Sequence, residues 1–223
     1  LGGVLVFGSL VWLPGDPGIG TSSLVASGAA SVKSAKGPVL YISGEESGPQ
    51  LAGRFARLSE SFEHIHYLEA RAVETLCATI EKERPLLVIV DSIQTIPSSQ
   101  LDAATGSPSL IRYATNLLMR TAKKTTIPIL IIGQVTKDGT LAGPKTLEHM
   151  VDVVLSLDGD PVHAFRLLRA TKNRFGATDE IGVFEMTGAG FVAVPNPSEK
   201  FLAERTAVPG SVITTTMEGS RVF

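Results

Sequence analysis

The segment Gly15–Ser23 constrains the fold of this chain more than any other. It reads Gly-Asp-Pro-Gly-Ile-Gly-Thr-Ser-Ser and matches the spacing of the phosphate-binding loop G-x-x-x-x-G-K-[ST] at Gly15, Gly20 and Ser22. In that loop the glycines let backbone N–H groups surround a phosphate, the lysine reaches the β- and γ-phosphates, and the hydroxyl serves Mg²⁺. Thr21 stands at the lysine position. The segment therefore predicts a P-loop fold and puts the usual chemistry of that loop in doubt.

The sequence on both sides of this glycine loop has the character that a P-loop requires. The apolar stretch Val4–Leu13 predicts a strand that enters the loop, and Ser22–Lys33 predicts the helix that leaves it. Backbone N–H groups and the helix dipole can hold a phosphate there without a lysine. The alternative is a turn that only connects the two elements. The residues predicted to contact a nucleotide are Gly15, Asp16, Pro17, Gly18, Ile19, Gly20, Thr21, Ser22 and Ser23.

The rest of the chain alternates short apolar runs with helical stretches, and a strand-rich region follows. This order predicts an α/β fold with a mainly parallel sheet, helices on both faces and antiparallel strands at one edge. Ligands in such sheets bind beyond the carboxyl ends of the strands. The predicted strands are Val39–Ile42, His64–Leu68, Leu86–Val90, Ile127–Ile132, Val151–Leu157, Phe165–Ala170, Gly182–Met186 and Gly190–Val194; the predicted helices are Gln50–Leu58, Val73–Glu83 and Leu110–Lys124; Pro97–Ser109 and Lys137–Thr146 are predicted loops, the first of them mobile.

Composition excludes several classes of protein. With 43% hydrophobic and 19% charged residues in 223, the chain is globular rather than disordered. A net charge of −2 excludes a globally basic protein, so any binding of nucleic acid requires a local patch or channel. The single cysteine, Cys77, excludes an internal disulfide and fits a cytoplasmic protein. We expect no membrane association, because no apolar run approaches the length of a membrane span.

Acidic residues follow two of the predicted strands. Asp91 comes directly after Leu86–Val90, where a carboxylate can hold Mg²⁺ through water; the alternative is an ordinary turn cap. Glu45 and Glu46 follow the second strand, where a carboxylate can polarise a water for attack on a phosphate. Glu45 is the first choice for this base and Glu46 the second; the alternative is a solvated acidic turn.

Polar residues at two further strand ends are weaker candidates. Gln134 follows a buried strand and could sense the γ-phosphate, or it could bond to the backbone. Lys172 and Arg174 flank Asn173 and could clamp a phosphate in the same subunit or across an interface. On composition alone, a solvated basic turn is the better interpretation of that segment.

Two other groups of residues are interpreted as structural. His64 and His66 would share one face of a strand, but the sequence offers neither a cysteine nor a third histidine nearby to complete a metal site. Arg54 and Arg57 are expected to cover the surface of a helix.

Taken together, these motifs resemble the bacterial RadA (Sms) family of RecA-like ATPases. The resemblance extends from Gly2 to about Arg221, and the set of motifs is highly specific although each one alone is weak. The motifs are Gly15-Asp16-Pro17-Gly18-Ile19-Gly20, Ser43-Gly44-Glu45-Glu46-Ser47, Val90-Asp91-Ser92-Ile93-Gln94-Thr95, Val135-Thr136-Lys137-Asp138-Gly139, Leu147-Glu148-His149-Met150-Val151-Asp152 and the hallmark Lys172-Asn173-Arg174-Phe175-Gly176.

The resemblance implies a RecA-like P-loop NTPase core that binds ATP or ADP with Mg²⁺. In that family's terms Gly15–Ser22 would cradle the phosphates, Ser22 and Asp91 would serve Mg²⁺, and Glu45 would activate water. It also implies homohexameric rings, ATP-driven movement on single-stranded DNA, branch migration of recombination intermediates, and a recombinase as a further partner.

The same resemblance assigns roles at the subunit interface and in the ring. Lys172 and Arg174 would reach the nucleotide of a neighbouring subunit. The loops Pro97–Ser109 and Lys137–Thr146 would line a central DNA channel. Because the chain carries little net charge, the ring would have to concentrate cations at that channel, namely Lys137, Lys145 and Arg112.

The resemblance also implies a division of the chain into a domain and a linker. The chain departs from the family's sequence pattern at three positions. Residues 1–194 would form the ATPase domain, and residues 195–223 a linker towards a Lon-protease-like domain; that domain and an amino-terminal four-cysteine zinc module are usual in the family and absent from this sequence. Thr21 replaces the lysine, Pro14 stands where glycine is expected, and Gln134 stands where histidine is usual, although RecA-like relatives use glutamine there.

We therefore expect an ATP-dependent DNA repair and recombination protein whose hydrolysis is impaired at Thr21. One alternative is a nucleotide-regulated DNA-binding ring component that does not hydrolyse ATP. The other is a RecA-fold scaffold that has lost function.

Overall fold

Short strands and helices alternate along most of this chain. The computed structural model describes residues 5–32, 37–58, 61–134, 144–159, 165–188 and 190–195, and the backbone of 217–218 and 221–222. The strands are β1 (Leu10–Gly15), β2 (Val39–Ser43), β3 (Ile65–Glu69), β4 (Leu87–Asp91), β5 (Ile129–Gln134), β6 (Val153–Gly159), β7 (Phe165–Asn173), β8 (Ile181–Thr187) and β9 (Gly190–Ala193). The helices are α1 (Thr21–Ser31), α2 (Gly48–Arg57), α3 (Val73–Glu83), α4 (Pro108–Thr125) and α5 (Pro144–Met150), with one 3₁₀ turn at Ile93–Thr95.

These nine strands form one sheet in the order β3-β2-β4-β5-β1-β6-β7-β8-β9. Strands β1 to β6 pair in parallel, and β7, β8 and β9 extend the sheet by antiparallel pairing. This confirms the predicted α/β sheet with its antiparallel edge, including the hairpin of β8 and β9. Because β1, β2, β4 and β5 are parallel, their carboxyl ends meet at one edge, and the glycine loop leaves β1 at that edge.

The sheet buries both of its faces. Successive residues of β1 alternate between two apolar clusters, with Leu10 and Trp12 in one and Val11 and Leu13 in the other. The period of two residues is what an extended strand imposes. The first cluster includes residues of α3 and α4, and the second includes residues of α1 and α2. The central strands β1, β2 and β4 are therefore covered on both sides, whereas β3, at the edge of the sheet, is partly exposed.

The ends of several elements differ from the sequence predictions. β1 begins at Leu10 rather than at Val4, because Gly8 adopts a left-handed φ of 72° and Ser9 N–H donates to the carbonyl of Val6 in a turn. Pro14 lies within β1 but beyond its pairing with β6, which involves only Val11 and Trp12.

One described helix in the carboxy-terminal half was not predicted from the sequence. α5 covers Pro144–Met150, which overlaps the end of the predicted loop Lys137–Thr146, and β6 begins at Val153 rather than at the predicted Val151. β7 continues through Lys172 and Asn173, three residues beyond its predicted end. Within the predicted linker, Met217–Glu218 and Arg221–Val222 pair as a separate two-stranded ladder, β10 and β11.

No helix within the described residues is long and apolar enough to cross a membrane.

Candidate functional site

The glycine loop joins the end of β1 to the start of α1. Gly18 and Gly20 have φ angles of 83° and 105°, which a residue with a Cβ adopts only with strain. Ile19 N–H donates to the carbonyl of Asp16 and closes the turn at 3.1 Å. Within the described structure no side chain caps the first turn of α1, whose amino-terminal cap is Gly20. The first N–H groups of such a helix can donate to an anion.

The loop is packed tightly on two sides. A side chain at position 15 would collide with the methyl group of Thr21, so the threonine lies over the start of the loop. A Cβ on Gly20 would approach Met186 and Phe191, in β8 and β9, to 2.8 and 2.9 Å. The hairpin of β8 and β9 therefore packs against Gly20 of the loop.

Arg166 also holds the loop, although it was not among the predicted site residues. Its Nε donates to the carbonyl of Ile19 at 3.2 Å, and its Nη1 donates to the carbonyl of Phe165. No sequence motif links a residue of β7 to a loop 147 positions earlier. Only the antiparallel pairing of the sheet brings the two together.

Asp91 and Ser22, the two residues predicted to serve Mg²⁺, lie close together, since the Ser22 hydroxyl lowers the pKa of the Asp91 carboxyl. The Tyr41 hydroxyl donates to Asp91 Oδ2 at 2.7 Å. Asp91 is 4% exposed. Burial raises the pKa of this carboxyl, and the hydroxyls of Tyr41 and Ser22 oppose that rise. A buried carboxylate beside a hydroxyl offers the oxygen ligands that Mg²⁺ prefers.

Glu45 lies next to this pair. The hydroxyl of Ser43 accepts hydrogen bonds from the N–H groups of Glu45 and Glu46, which folds the end of β2 into a turn. From that turn Glu45 accepts a hydrogen bond of 2.7 Å from the hydroxyl of Ser92, the residue after Asp91. The first-choice base is therefore beside the proposed Mg²⁺ ligands.

Glu46, the second choice, is engaged elsewhere. Its Oε1 pairs with Arg54 Nη2 at 2.7 Å. Arg54 Nη1 in turn donates to the hydroxyl of Ser23, in the first turn of α1, at 3.2 Å. Arg54, which was expected to cover a helix surface, also joins α2 to α1 through Ser23, and 18% of its side chain is exposed. A signal was available, since Leu51 and Arg54 share one face of α2 at a spacing of three residues.

Comparison with known proteins places these features in a family. The chain is 50% identical over 222 residues to the DNA repair protein RadA of Bacillus subtilis (strain 168), covering 99% of this chain and 48% of that protein. The DNA repair protein RadA of Streptococcus pneumoniae (strain ATCC BAA-255 / R6) is 49% identical, with 53% of its length covered. The protein of the same name from Pseudomonas aeruginosa is 47% identical, with 49% covered. This chain belongs to the RadA family. It spans about half the length of the curated relatives it matches, and no family model matches it.

The RadA resemblance implied that Lys172 and Arg174 reach a nucleotide in a neighbouring subunit. Within the chain they lie at the opposite end of β1 from the glycine loop. Arg174 Nη1 donates to Asp152 Oδ1 at 3.2 Å, and Asp152 Oδ2 accepts from the N–H of Leu10, the first residue of β1. At roughly 3.3 Å per residue, β1 separates this point from Gly15 by about 17 Å. The two cations therefore do not reach the glycine loop of their own subunit.

Lys172 is bound to the end of a helix. Its Nζ donates to the carbonyls of Glu148 and Val151, at 2.5 and 2.8 Å, at the carboxyl end of α5. Burial lowers the pKa of this ammonium, and the nearby Arg174 lowers it further.

The remaining RadA-type predictions fall on loops and strand ends. Gln134 ends β5 opposite Gly15, but its side chain is outside the described residues. Most of Lys137–Thr146, with Lys137 and the side chain of Lys145, is also outside them. Arg112 is exposed on α4.

The loop Pro97–Ser109, predicted to be mobile, is tied to α3. Glu74 accepts hydrogen bonds from the hydroxyl of Ser98 and from the N–H and hydroxyl of Ser99. The last two residues of the predicted loop, Pro108 and Ser109, already belong to α4. This loop is therefore anchored at its amino-terminal end.

Proposed function

We propose that this chain is the nucleotide-binding core of a RadA-type DNA repair protein, and that it binds ATP with Mg²⁺ at the glycine loop. Gly15–Ser23 would hold the phosphates through backbone N–H groups, and Ser22 and Asp91 would hold the ion. Mg²⁺ would neutralise phosphate charge there. Glu45 would orient and deprotonate the attacking water, and Gln134 would sense the γ-phosphate.

One observation supports this proposal above the others. The first turn of α1 and the buried Asp91 carboxylate lie at the same edge of the sheet, and Ser22 in that turn lowers the pKa of the Asp91 carboxyl. A glycine turn that only connected β1 to α1 would not need a buried carboxylate from β4 beside it. The hydrogen bond between Glu45 and Ser92 adds a third group at that place.

The direct experiment is a measurement of ATP binding by titration calorimetry with and without Mg²⁺. We expect binding that strengthens with Mg²⁺, and an Asp91→Asn variant that loses most of this dependence. Asp158→Asn, a partly exposed carboxylate on β6, serves as the control. Absence of ATP binding by the unaltered chain and by Thr21→Lys would overturn the proposal.

The residue at position 21 is expected to limit the rate of ATP hydrolysis. A threonine has no cation for the charge that develops between the β- and γ-phosphates, and one such contact is commonly worth about 10²–10³ in rate. We predict that Thr21→Lys raises ATP hydrolysis by at least about tenfold. Thr21→Ser, which removes only the methyl group over Gly15, is the matched control and is expected to stay near the original rate. If hydrolysis stays flat in Thr21→Lys while ATP binds, then Thr21 is not the limiting defect.

The DNA-related role rests on family membership. We propose that the chain acts on single-stranded DNA and recombination intermediates as part of a homohexameric ring. Lys172 and Arg174 would face a neighbour's nucleotide, since neither reaches the glycine loop of its own subunit. The test is the affinity for single-stranded DNA as a function of salt, because each phosphate contact releases counterions. An affinity that does not change with salt would contradict a DNA channel.

The position of Thr21 also favours a second candidate function. Because Thr21 supplies no cation to the developing charge, the chain would bind nucleotide and DNA in a ring without hydrolysing ATP. ATP binding without measurable ATP hydrolysis, both with and without DNA, would support this candidate over the ATPase.

A further inference from the structure

Arg54 is a partly buried cation at the first turn of α1. It lies on α2 between the buried residues Leu51 and Phe55, and its guanidinium reaches Ser23 with Nη1 and Glu46 with Nη2. Its third nitrogen, Nε, is buried and has no hydrogen-bond partner among the described residues. Nη1 and Nη2 carry two N–H groups each, and 18% of the side chain is exposed, so the guanidinium has donor capacity that a ligand could use.

Arg54 lies close to the proposed Mg²⁺ site, because its guanidinium contacts the first turn of α1. Ser23, which it contacts, is the residue after Ser22 in the glycine loop. Arg54 therefore lies on the side of the loop where the phosphates of a nucleotide would be.

The other cation at the loop among the described residues already donates to backbone carbonyls. Arg166 gives Nε and Nη1 to the backbone carbonyls of Ile19 and Phe165, so it fixes the loop from behind. Thr21 supplies no charge.

We propose that Arg54 provides the cation of the phosphate site in this chain, where Thr21 does not. The guanidinium would donate to a phosphate oxygen, as arginine does in many phosphate sites. Glu46 is its counter-ion and competes with the phosphate for it. This inference rests on the proposed function, because it requires a nucleotide at the glycine loop.

The test compares two arginines of one helix. Arg54→Gln removes the proposed cation, and Arg57→Gln removes an exposed charge one turn further along α2. With Mg²⁺ present, calorimetry should show that Arg54→Gln weakens ATP and pyrophosphate binding by about tenfold or more. Arg57→Gln should leave both affinities unchanged. Adenosine, which carries no phosphate, should bind equally to both variants.

Two further variants separate a phosphate contact from a packing effect. Glu46→Gln removes the competing carboxylate, so it should tighten pyrophosphate binding. In the Thr21→Lys background the new ammonium supplies the charge, so Arg54→Gln should lose less affinity than it does beside Thr21. A purely structural arginine would cost the same in both backgrounds.

The outcomes distinguish this inference from the function on which it rests. If the unaltered chain binds ATP and a folded Arg54→Gln binds it equally well, the role of Arg54 is overturned and the nucleotide site stands. If neither the unaltered chain nor Thr21→Lys binds ATP, the proposed function fails, and this inference fails with it. If Arg54→Gln does not fold, Glu46→Gln decides, because unchanged or weaker pyrophosphate binding overturns the inference.

Discussion

At the scale of single residues, buried hydroxyl groups organise the carboxylates of the candidate site. Tyr41 donates to Asp91, Ser92 donates to Glu45, and Ser43 accepts from the backbone of the turn that holds Glu45. A buried carboxylate needs such donors, because burial disfavours its charged form. The sequence shows these residues at strand ends, but it does not show which hydroxyl meets which carboxylate.

The Tyr41 hydroxyl offers the cleanest test at this scale. Tyr41→Phe removes a donor from the buried Asp91 and should lower the free energy of unfolding by about 1–3 kcal/mol. Urea denaturation measures this change in the free energy of unfolding. Tyr67→Phe is the control, because that hydroxyl bonds to the carbonyl of Glu46 at an exposed position and should change stability by less than about 0.5 kcal/mol. Equal losses of unfolding free energy in the two variants would mean that the hydrogen bond from Tyr41 to Asp91 stabilises the fold no more than an exposed one.

At the scale of elements, side chains join segments that are distant in sequence. Glu74 of α3 holds the start of the loop before α4, and Lys172 of β7 binds the end of α5. Helix propensity alone predicts α3, whose observed bounds are the predicted ones. It does not predict what its side chains bind.

The Glu74 contact predicts a pH dependence. Burial raises the pKa of this carboxyl, but hydrogen bonds from Ser98 and Ser99 outweigh it and lower the value from 4.5 to about 2. A depressed pKa stabilises the fold above pH 4.5, and this stabilisation is lost as the pH falls towards 2. The stability difference between the unaltered chain and Glu74→Ala should shrink over that range in urea denaturation. Glu83→Ala, at an exposed position of α3, should show a constant small difference.

Lys172 is expected to matter in the isolated subunit as well as in a ring. Lys172→Ala removes two hydrogen bonds to carbonyls at the end of α5 and should lower stability by about 1–2 kcal/mol. ATP binding by the monomer should stay unchanged, because the glycine loop is at the other end of β1. Thermal denaturation and calorimetry on the monomer check both parts. A loss of ATP affinity in the monomer would place Lys172 in its own subunit's site.

At the scale of the whole molecule, Asp152 joins three parts of the chain. Its carboxylate accepts from the N–H of Leu10 in β1, from Lys123 of α4 and from Arg174 after β7. The Asp152 side chain is 2% exposed, whereas the side chains of both cations are about half exposed. These bonds lower the pKa of Asp152 although burial raises it.

Removal of this carboxylate should affect global stability. Asp152→Ala leaves the buried N–H of Leu10 without its side-chain acceptor and separates two cations from their partner, so we expect a loss of about 2–4 kcal/mol. Asp158→Ala breaks a partly exposed pair with Arg169 and should cost less than about 1 kcal/mol. Guanidinium denaturation compares the two. A similar small loss of stability in both variants would show that Asp152 contributes no more to stability than a partly exposed ion pair.

The order of strands and helices could be predicted from the sequence because apolar periodicity, glycine and proline act locally. The bounds of α3 were predicted to the residue, and the hairpin of β8 and β9 was also recognised. Element ends were less accurate where turn geometry decides, as at Gly8 before β1. α5 was missed because it is seven residues long and lies in a stretch with the composition of a loop.

The sequence by itself determined the sheet, the glycine loop and the residue types at the strand ends, since these depend on local pattern and spacing. Only the tertiary structure decided the partners: Ser22 with Asp91, Glu45 with Ser92, Arg54 with Ser23 and Glu46. It also decided that Lys172 and Arg174 lie at the end of β1 away from the loop. Contacts of this kind depend on which strands become neighbours, and strand order follows from packing over the whole sheet rather than from any local segment.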